Sequence, residues 1–312
     1  VYGAGRISST PEDLVEATRM TDAGELGYES TRWGEDALGR ITPLWLLKRL
    51  PNMPACHVSI GFDARGPNNT ITCRDASALL AVAEAVRVIQ RGAADCMIVG
   101  ACGSNIHPVD IAKLSLFETL SRRTDEPARA CRPFDKDRDG AVLGEGAGAL
   151  VLERHELARE RGVEPYAEII GTGAGCDARP DEDESAGEGL VHAIRAALDE
   201  AGISAGQLGH INAHGKATPR EDLVEARALH LVLGDQAARI PLTALKSYFG
   251  QCDAGGGAVE LVGSLLALRQ GYVPATLNYE TPDEGCRLNV IHGRPLRLEN
   301  PVALVVNRTD IG

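Results

Sequence analysis

Apolar residues recur at helical spacing over residues 75–91, where Leu79, Val82, Val86 and Ile89 form one stripe. Gly92 follows and marks the stop. A short apolar run at 96–99 then reads as a buried strand, and 147–152 as another, followed by a charged helix through Arg161-Gly162. The same alternation continues further on. Strands are predicted at 166–170, 210–213 and 242–246. Helices are predicted at 187–201 before Gly202, at 219–233, and at 258–269 ending near Gly271. At the start, Val1-Tyr2-Gly3-Ala4-Gly5 reads as a strand entering a glycine turn. Strand-then-helix alternation predicts an α/β protein with mostly parallel strands. The best internal break is Gly162-Val163-Glu164-Pro165, which divides the chain into 1–163 and 164–312. The acidic run 179–184 is expected to be a solvated loop.

Composition narrows the function classes. The 312 residues fit two units of ~150 each. With 44% hydrophobic and 24% charged residues, the chain is globular, neither disordered nor a small disulfide scaffold. A net charge of −12 repels polyanions, so no nucleic-acid partner is expected. No apolar stretch reaches the ~18 residues of a membrane span, and no signal-peptide pattern is visible, which points to a cytoplasmic protein. The eight cysteines form no C-x-x-C pair and no zinc spacing, so the expectation is reduced, buried thiols and no metal. Glycine runs do not predict a nucleotide site. Gly171-Thr172-Gly173-Ala174-Gly175 is followed by Cys176 where a dinucleotide fingerprint needs glycine, and Gly144-Glu145-Gly146-Ala147-Gly148 precedes a strand instead of following one.

Four stretches together resemble one family. Cys131-Arg132-Pro133-Phe134-Asp135-Lys136-Asp137-Arg138-Asp139-Gly140, running into Val142-Leu143-Gly144-Glu145-Gly146-Ala147, is similar to the central signature of β-ketoacyl-ACP synthases. Asn212-Ala213-His214-Gly215-Lys216-Ala217-Thr218-Pro219 resembles their H-G-T-x-T-P segment, and Lys246-Ser247-Tyr248-Phe249-Gly250-Gln251 their K-S-x-x-G-H segment. Gly66-Pro67-Asn68 with Thr70-Ile71 resembles the approach to their nucleophile. The resemblance is closest to the type II synthases of fatty-acid and aromatic polyketide assembly. It implies a thiolase-like fold of two related α/β/α halves with mixed sheets of the five-stranded type, usually dimeric. It also implies a first half without its leading strand and helix, as in a fragment or a split gene. No cofactor is implied. The substrates would ride on the phosphopantetheine arm of acyl carrier protein.

The resemblance carries roles onto single residues. The family nucleophile, a cysteine at a helix N-terminus, lies nine residues after the glycine of Gly-Pro-Asn and nine before the glutamate of a Glu-Ala pair. Both counts select Asp75 here. Aspartate at a helix start is also an ordinary cap. Cys73, two residues upstream, is the rival nucleophile, against the simpler reading of a buried or loop thiol. His214 matches the first family histidine, while Gln251 replaces the second; an amide can donate a hydrogen bond but cannot titrate. Lys246 matches the family lysine and Glu260 its helix carboxylate. They form an ion pair in the simplest reading, and a Lys246–Asp75 pair is the alternative. Lys216 replaces a threonine that contacts the pantetheine arm, and Thr218 keeps the other. Asp310, within Arg308-Thr309-Asp310-Ile311-Gly312, stands where the family has a G-F-G-G loop beside the site. Asp135 and Asp139-Gly140 read as scaffold.

The substitutions fall at site positions while the scaffold motifs persist. That pattern resembles chain-length factors, the non-condensing partners of polyketide synthases, although those usually carry glutamine where this chain has Asp75. The expected role is a non-condensing subunit, as a homodimer or paired with an active ketosynthase. A divergent active synthase and a malonyl-ACP decarboxylase are the enzymatic alternatives. The segment 96–103 is expected to supply the dimer edge. Arg122, Arg123 and Arg129 are expected to dock the acidic carrier protein, with a plain solvated loop as the simpler account.

Overall fold

A computed structural model describes residues 1–5, 7, 11–21, 30–178 and 187–309. The first half contains β1 (Tyr2–Ala4), α1 (Pro11–Met20), α2 (Ser30–Arg32), α3 (Met53–Gly61), β2 (Thr70–Ile71), α4 (Ser77–Gln90), β3 (Cys96–Ser104), α5 (Pro108–Phe117), β4 (Glu145–Glu153) and α6 (His155–Glu160). The second contains α7 (Glu188–Ala201), β5 (His210–Asn212), α8 (Pro219–Leu233), β6 (Pro241–Thr243), α9 (Lys246–Phe249), α10 (Gly256–Gln270), β7 (Tyr272–Val273), β8 (Asn289–Val290), β9 (Leu296–Arg297) and β10 (Ala303–Val305). Two four-stranded sheets organise them, in the orders β2-β1-β3-β4 and β10-β5-β6-β8. Helices pack on both, as a thiolase-like α/β fold requires.

In the first sheet β1 runs parallel to β2 and β3, and β4 runs antiparallel to β3 over nine residue pairs, Cys96↔Glu153 to Ser104↔Glu145. The expectation that 96–103 forms a free edge is therefore wrong. β3 is interior, held by β1 on one side and β4 on the other, and the edges are β2 and β4. α4 covers the sheet through Ala78, Ala81, Val82, Ala85 and Val88. The predicted Leu79, Val86 and Ile89 are only half-buried on its flank, because the small alanines permit the closest approach to β1 and β3. Val1, Met97 and Val99 complete that core.

The second sheet is parallel throughout. Among the described residues each of these two sheets has four strands, fewer than the five-stranded pattern implies, and β7 pairs with β9 in a separate two-stranded sheet. Residues 166–170 account for one of the differences. They pair in no ladder, and 167–176 and β10 both line a cavity of about 320 Å³. The segment instead lies flush on α7. A Cβ on Gly173 would come within 1.9 Å of the Ala193 carbonyl oxygen, and one on Gly175 within 2.1 Å of the Gly189 oxygen. This close approach is what the Gly171-x-Gly173-x-Gly175 spacing serves, in place of a nucleotide cradle. The predicted strand 242–246 ends at Thr243, because Lys246 already opens α9; Ser247 Oγ donates to the Ala244 carbonyl at 2.8 Å to make that turn. The acidic run 179–184 lies outside the described residues.

Phe134, from the first half, is fully buried in the core of the second beside Ile211, Leu229 and Leu242. The aspartates around it hold turns. Asp135 accepts from the backbone N–H groups of Glu280 at 2.7 Å, Thr281 at 2.8 Å and Asp137 at 2.9 Å. Asp139 accepts from Ser121 Oγ and the Arg122 N–H. All eight cysteines are free, but only Cys131, Cys252 and Cys286 are buried; Cys96 and Cys176 are exposed. Gly140, at φ +154°, leaves no room for a side chain, since a Cβ would sit 2.3 Å from the Leu120 carbonyl carbon. Gly140→Ala is expected to lower unfolding stability by about 2 kcal/mol in denaturant titration, from a backbone clash that no rotamer relieves.

Candidate active site

Lys246 Nζ is the hub of the site. It donates to Glu260 Oε1 at 2.6 Å, to the His214 carbonyl oxygen at 2.9 Å and to His214 Nδ1 at 3.1 Å, which uses all three of its N–H groups. Glu260 also takes Asn307 Nδ2 at 2.5 Å. Lys246, His214 and Glu260 are all at most 2% exposed. The Lys246–Glu260 ion pair is thus the simpler of the two pairings considered above. No contact joins Lys246 to Asp75, although its charge acts on that carboxyl. Burial lowers the lysine, but Glu260 and Asp75 outweigh it and hold the ammonium above its ordinary pKa. Burial pushes His214 well below the ordinary histidine range, and the charges of Lys246, Lys216 and Arg308 add to the effect. The ring is neutral, and a donor at Nδ1 assigns its proton to Nε2.

Two acids on α8 hold the His214 loop. Glu225 Oε1 accepts from the His214 N–H at 2.7 Å, and Oε2 from the Gly215 N–H at 2.8 Å. Asp222 accepts from the Phe134 N–H at 2.7 Å and the Ala217 N–H at 3.0 Å. Burial pushes Glu225 up to about 7 and Asp222 up to about 6. The sequence reading missed both. Their signal was present, as two carboxylates one helical turn apart on a face that is otherwise apolar. Thr218 caps the same helix, its hydroxyl accepting from the Glu221 N–H at 3.1 Å.

Asp75 lies in a short 3-10 turn, Arg74–Ala76, ahead of α4. It is 2% exposed and caps nothing. Ser77 closes that turn instead, accepting from the Cys73 N–H and donating to the Arg74 carbonyl, both at 2.7 Å. The carboxyl is engaged by Gln251, whose Nε2 donates to Asp75 Oδ2 at 3.0 Å. Burial raises Asp75, and Lys246, Lys216 and Arg74 oppose the rise. The two positions that sequence resemblance aligned with the family cysteine and second histidine, Asp75 and Gln251, therefore bond to each other. Cys73 faces the apolar cavity beside 167–176.

Lys216 forms an ion pair with Glu118 at 2.6 Å, and Arg74 binds the same carboxylate. All three line a cavity of about 860 Å³ together with Thr218, Asn105 and Phe117. The sequence reading did not single out Glu118, which directly follows α5. Asp310 lies outside the described residues. Arg129 is held by Glu126 and Glu280, and Arg123 by the Asp137 carbonyl, so their charge is already engaged. Among the described residues no cluster of three or more His, Cys, Asp or Glu side chains could hold a metal, and no helix is long and apolar enough to cross a membrane.

Comparison with known proteins agrees with this geometry. Residues 16–158 match the family model for the β-ketoacyl synthase N-terminal domain, and 166–280 that for the C-terminal domain. The chain belongs to the β-ketoacyl synthase family. It is 38% identical over 269 residues to 3-oxoacyl-[acyl-carrier-protein] synthase 2 of Synechocystis sp., covering 85% of this chain and 64% of that protein. It is 40% identical over 256 residues to the protein of that name from Coxiella burnetii, covering 81% and 61%. The chain therefore spans less than two thirds of the length of these relatives. Among solved structures, a ketosynthase bound to a hexaketide and in complex with its type II acyl-carrier protein superposes with TM-score 0.82 at 30% identity, covering 97% of this chain and 74% of that one. The ishigamide ketosynthase/chain length factor superposes at 0.79 with 26% identity, covering 96% and 69%.

The raised Glu225 carboxyl gives a pH signature. Its folded-state pKa lies above the unfolded value, so the proton binds more tightly in the folded protein. The stability this supplies is full below pH 4.5 and is lost as pH rises through about 7. Unfolding free energy in urea is expected to fall by about 2–3 kcal/mol from this group between pH 5 and 7. Glu225→Gln removes that slope, even though its amide places an N–H against a backbone N–H and lowers stability overall. A slope equal to wild type in the variant would assign the titration elsewhere.

Proposed function

We propose that this chain is a non-condensing ketosynthase-fold subunit of fatty-acid or polyketide assembly, comparable in role to a chain-length factor. The observation that carries the reading is the Asp75–Gln251 hydrogen bond at the buried reaction centre. A synthase needs a thiolate that attacks an acyl thioester and a second group that assists decarboxylation. Here a carboxyl stands at the first position and a non-titrating amide at the second, and each occupies the other. An acyl group on Asp75 would be a mixed anhydride, which water cleaves readily. Lys216 and Thr218 line the cavity through which a pantetheine arm would approach. The division at 163/164 and assembly as a homodimer, or with an active ketosynthase, belong to the same reading. Among the exposed sheet edges, β2 and β4 are the candidates for that interface.

A second reading, decarboxylation of malonyl-ACP, is favoured by one observation. His214 stays neutral with its proton on Nε2, and the Gln251 amide lies at the same centre; two N–H donors could stabilise an enolate.

Two measurements test these readings. Intact-mass spectrometry after incubation with acyl-ACP is expected to show no stable adduct, and an acyl group on Asp75 or Cys73 would sink the non-condensing reading. Asp75→Cys is expected to acylate yet condense slowly while Gln251 remains. Carbon dioxide release from malonyl-ACP by the wild-type chain would select the second reading.

Carrier binding is tested separately. Acyl carrier protein is the proposed partner, docking at the loop that holds Arg122, Arg123 and Arg129. Charge reversal of these three to glutamate is expected to weaken binding about tenfold by titration calorimetry at low salt, and salt to weaken it in the wild type. Unchanged affinity would remove this loop, where Arg123 and Arg129 already have partners, from the docking surface.

A further inference from the structure

Glu118 has no part in the chemistry above, yet it is one of the most tightly engaged side chains near the site. It is 7% exposed and is the residue immediately after α5. Its two oxygens take different cations, Arg74 on Oε1 and Lys216 on Oε2, the latter at 2.6 Å. Burial would raise this carboxyl, but Lys216 and Arg74 together hold it below its ordinary pKa.

The three residues come from three separate places. Arg74 directly precedes Asp75 in the turn before α4. Lys216 lies two residues beyond His214, in the loop after β5. Glu118 joins them, and so ties the loop bearing Asp75 in the first half to the loop bearing His214 in the second. All three face the 860 Å³ cavity. Asp75 and His214, each 2% exposed, do not line it. Arg74 adjoins Asp75 in the chain, Lys216 lies two residues from His214, and the charges of Lys216, Arg74 and Glu118 all reach the Asp75 carboxyl.

We propose that Arg74, Glu118 and Lys216 form an ionic clasp that bars the passage from the cavity to Asp75 and His214, with Glu118 as its keystone. A thioester arm entering the cavity meets two ion pairs before it meets Asp75. To pass, it must separate both and leave a buried carboxylate without its cations, which is costly at this depth. The clasp makes the cavity a pocket that holds the arm or chain of a ligand and delivers its carbonyl to the centre only when the clasp opens. This inference rests on the placement of Asp75 at the reaction centre made above.

Thiol alkylation tests it independently of acyl transfer. Asp75→Cys places a reporter thiol at the centre, and iodoacetamide labelling at that position is followed by peptide mass spectrometry, with exposed Cys96 as the internal reference. In the single variant, labelling at position 75 is expected to lag Cys96 by about tenfold or more, because reaction waits on opening of the clasp. Adding Glu118→Ala is expected to raise the rate about tenfold. Glu118→Gln keeps the shape and removes the charge, and should raise it about threefold. Each variant is checked for cooperative melting, and the Gln variant decides the matter if the Ala variant does not fold. Labelling as fast as Cys96 in Asp75→Cys alone overturns the clasp, as does an unchanged rate after Glu118 is altered. Acylation of the wild-type chain would instead sink the non-condensing reading and leave these rates to stand by themselves.

Discussion

The structure around the site depends on keeping one buried ammonium satisfied. Lys246 is 1% exposed, and a lone cation there would be untenable. It persists because its three donors meet Glu260, the His214 carbonyl and His214 Nδ1 together. Breaking such a group by removing one partner typically costs about 3–5 kcal/mol, because the other charge is left unpaired. The arrangement therefore fixes α9, α10 and the loop after β5 against each other, and sets the tautomer of His214 as a consequence. Asn307, Glu225 and Asp222 extend the same logic outward. Asn307 donates to the second oxygen of Glu260, while Glu225 and Asp222 accept backbone N–H groups that no helix or sheet would otherwise satisfy.

Against this well-supported frame, the reacting positions look different. Asp75 and Gln251 bond to each other, but Asp75 Oδ1 and Gln251 Oε1 are buried without partners. A few such atoms per domain are ordinary, and two adjacent ones mark a place where polar groups were placed for a reason other than maximal stability. The neighbouring Arg74, Glu118 and Lys216 show the opposite, with charges matched across two loops.

The gap beside β10 is a second consequence of local packing. Residues 166–175 carry Ile169 and Ile170, which favour a strand, yet they form none. The glycines let them settle on α7, and 167–176 and β10 both line the cavity. Strand propensity alone does not make a ladder; a partner at hydrogen-bonding distance is required.

Much was legible in the sequence. The sequence pattern located α4, α7, α8, α10 and the strands β1, β3, β4, β5 and β6, because burial of one face writes itself into residue spacing. Four motifs placed Asp75, His214, Lys246, Glu260 and Gln251, and the structure brings all five to one centre. What the chain order could not reveal were relations across it. β3 is interior only because β1 and β4, nearly 150 residues apart, both pair with it. Gln251 reaches Asp75 across 176 positions. Glu118 bridges residues 74 and 216, and no local pattern distinguishes a glutamate that will be buried between two cations from one that will face water. Local physics sets which elements form; which charges end up sharing a low-dielectric space is decided only when the two halves pack.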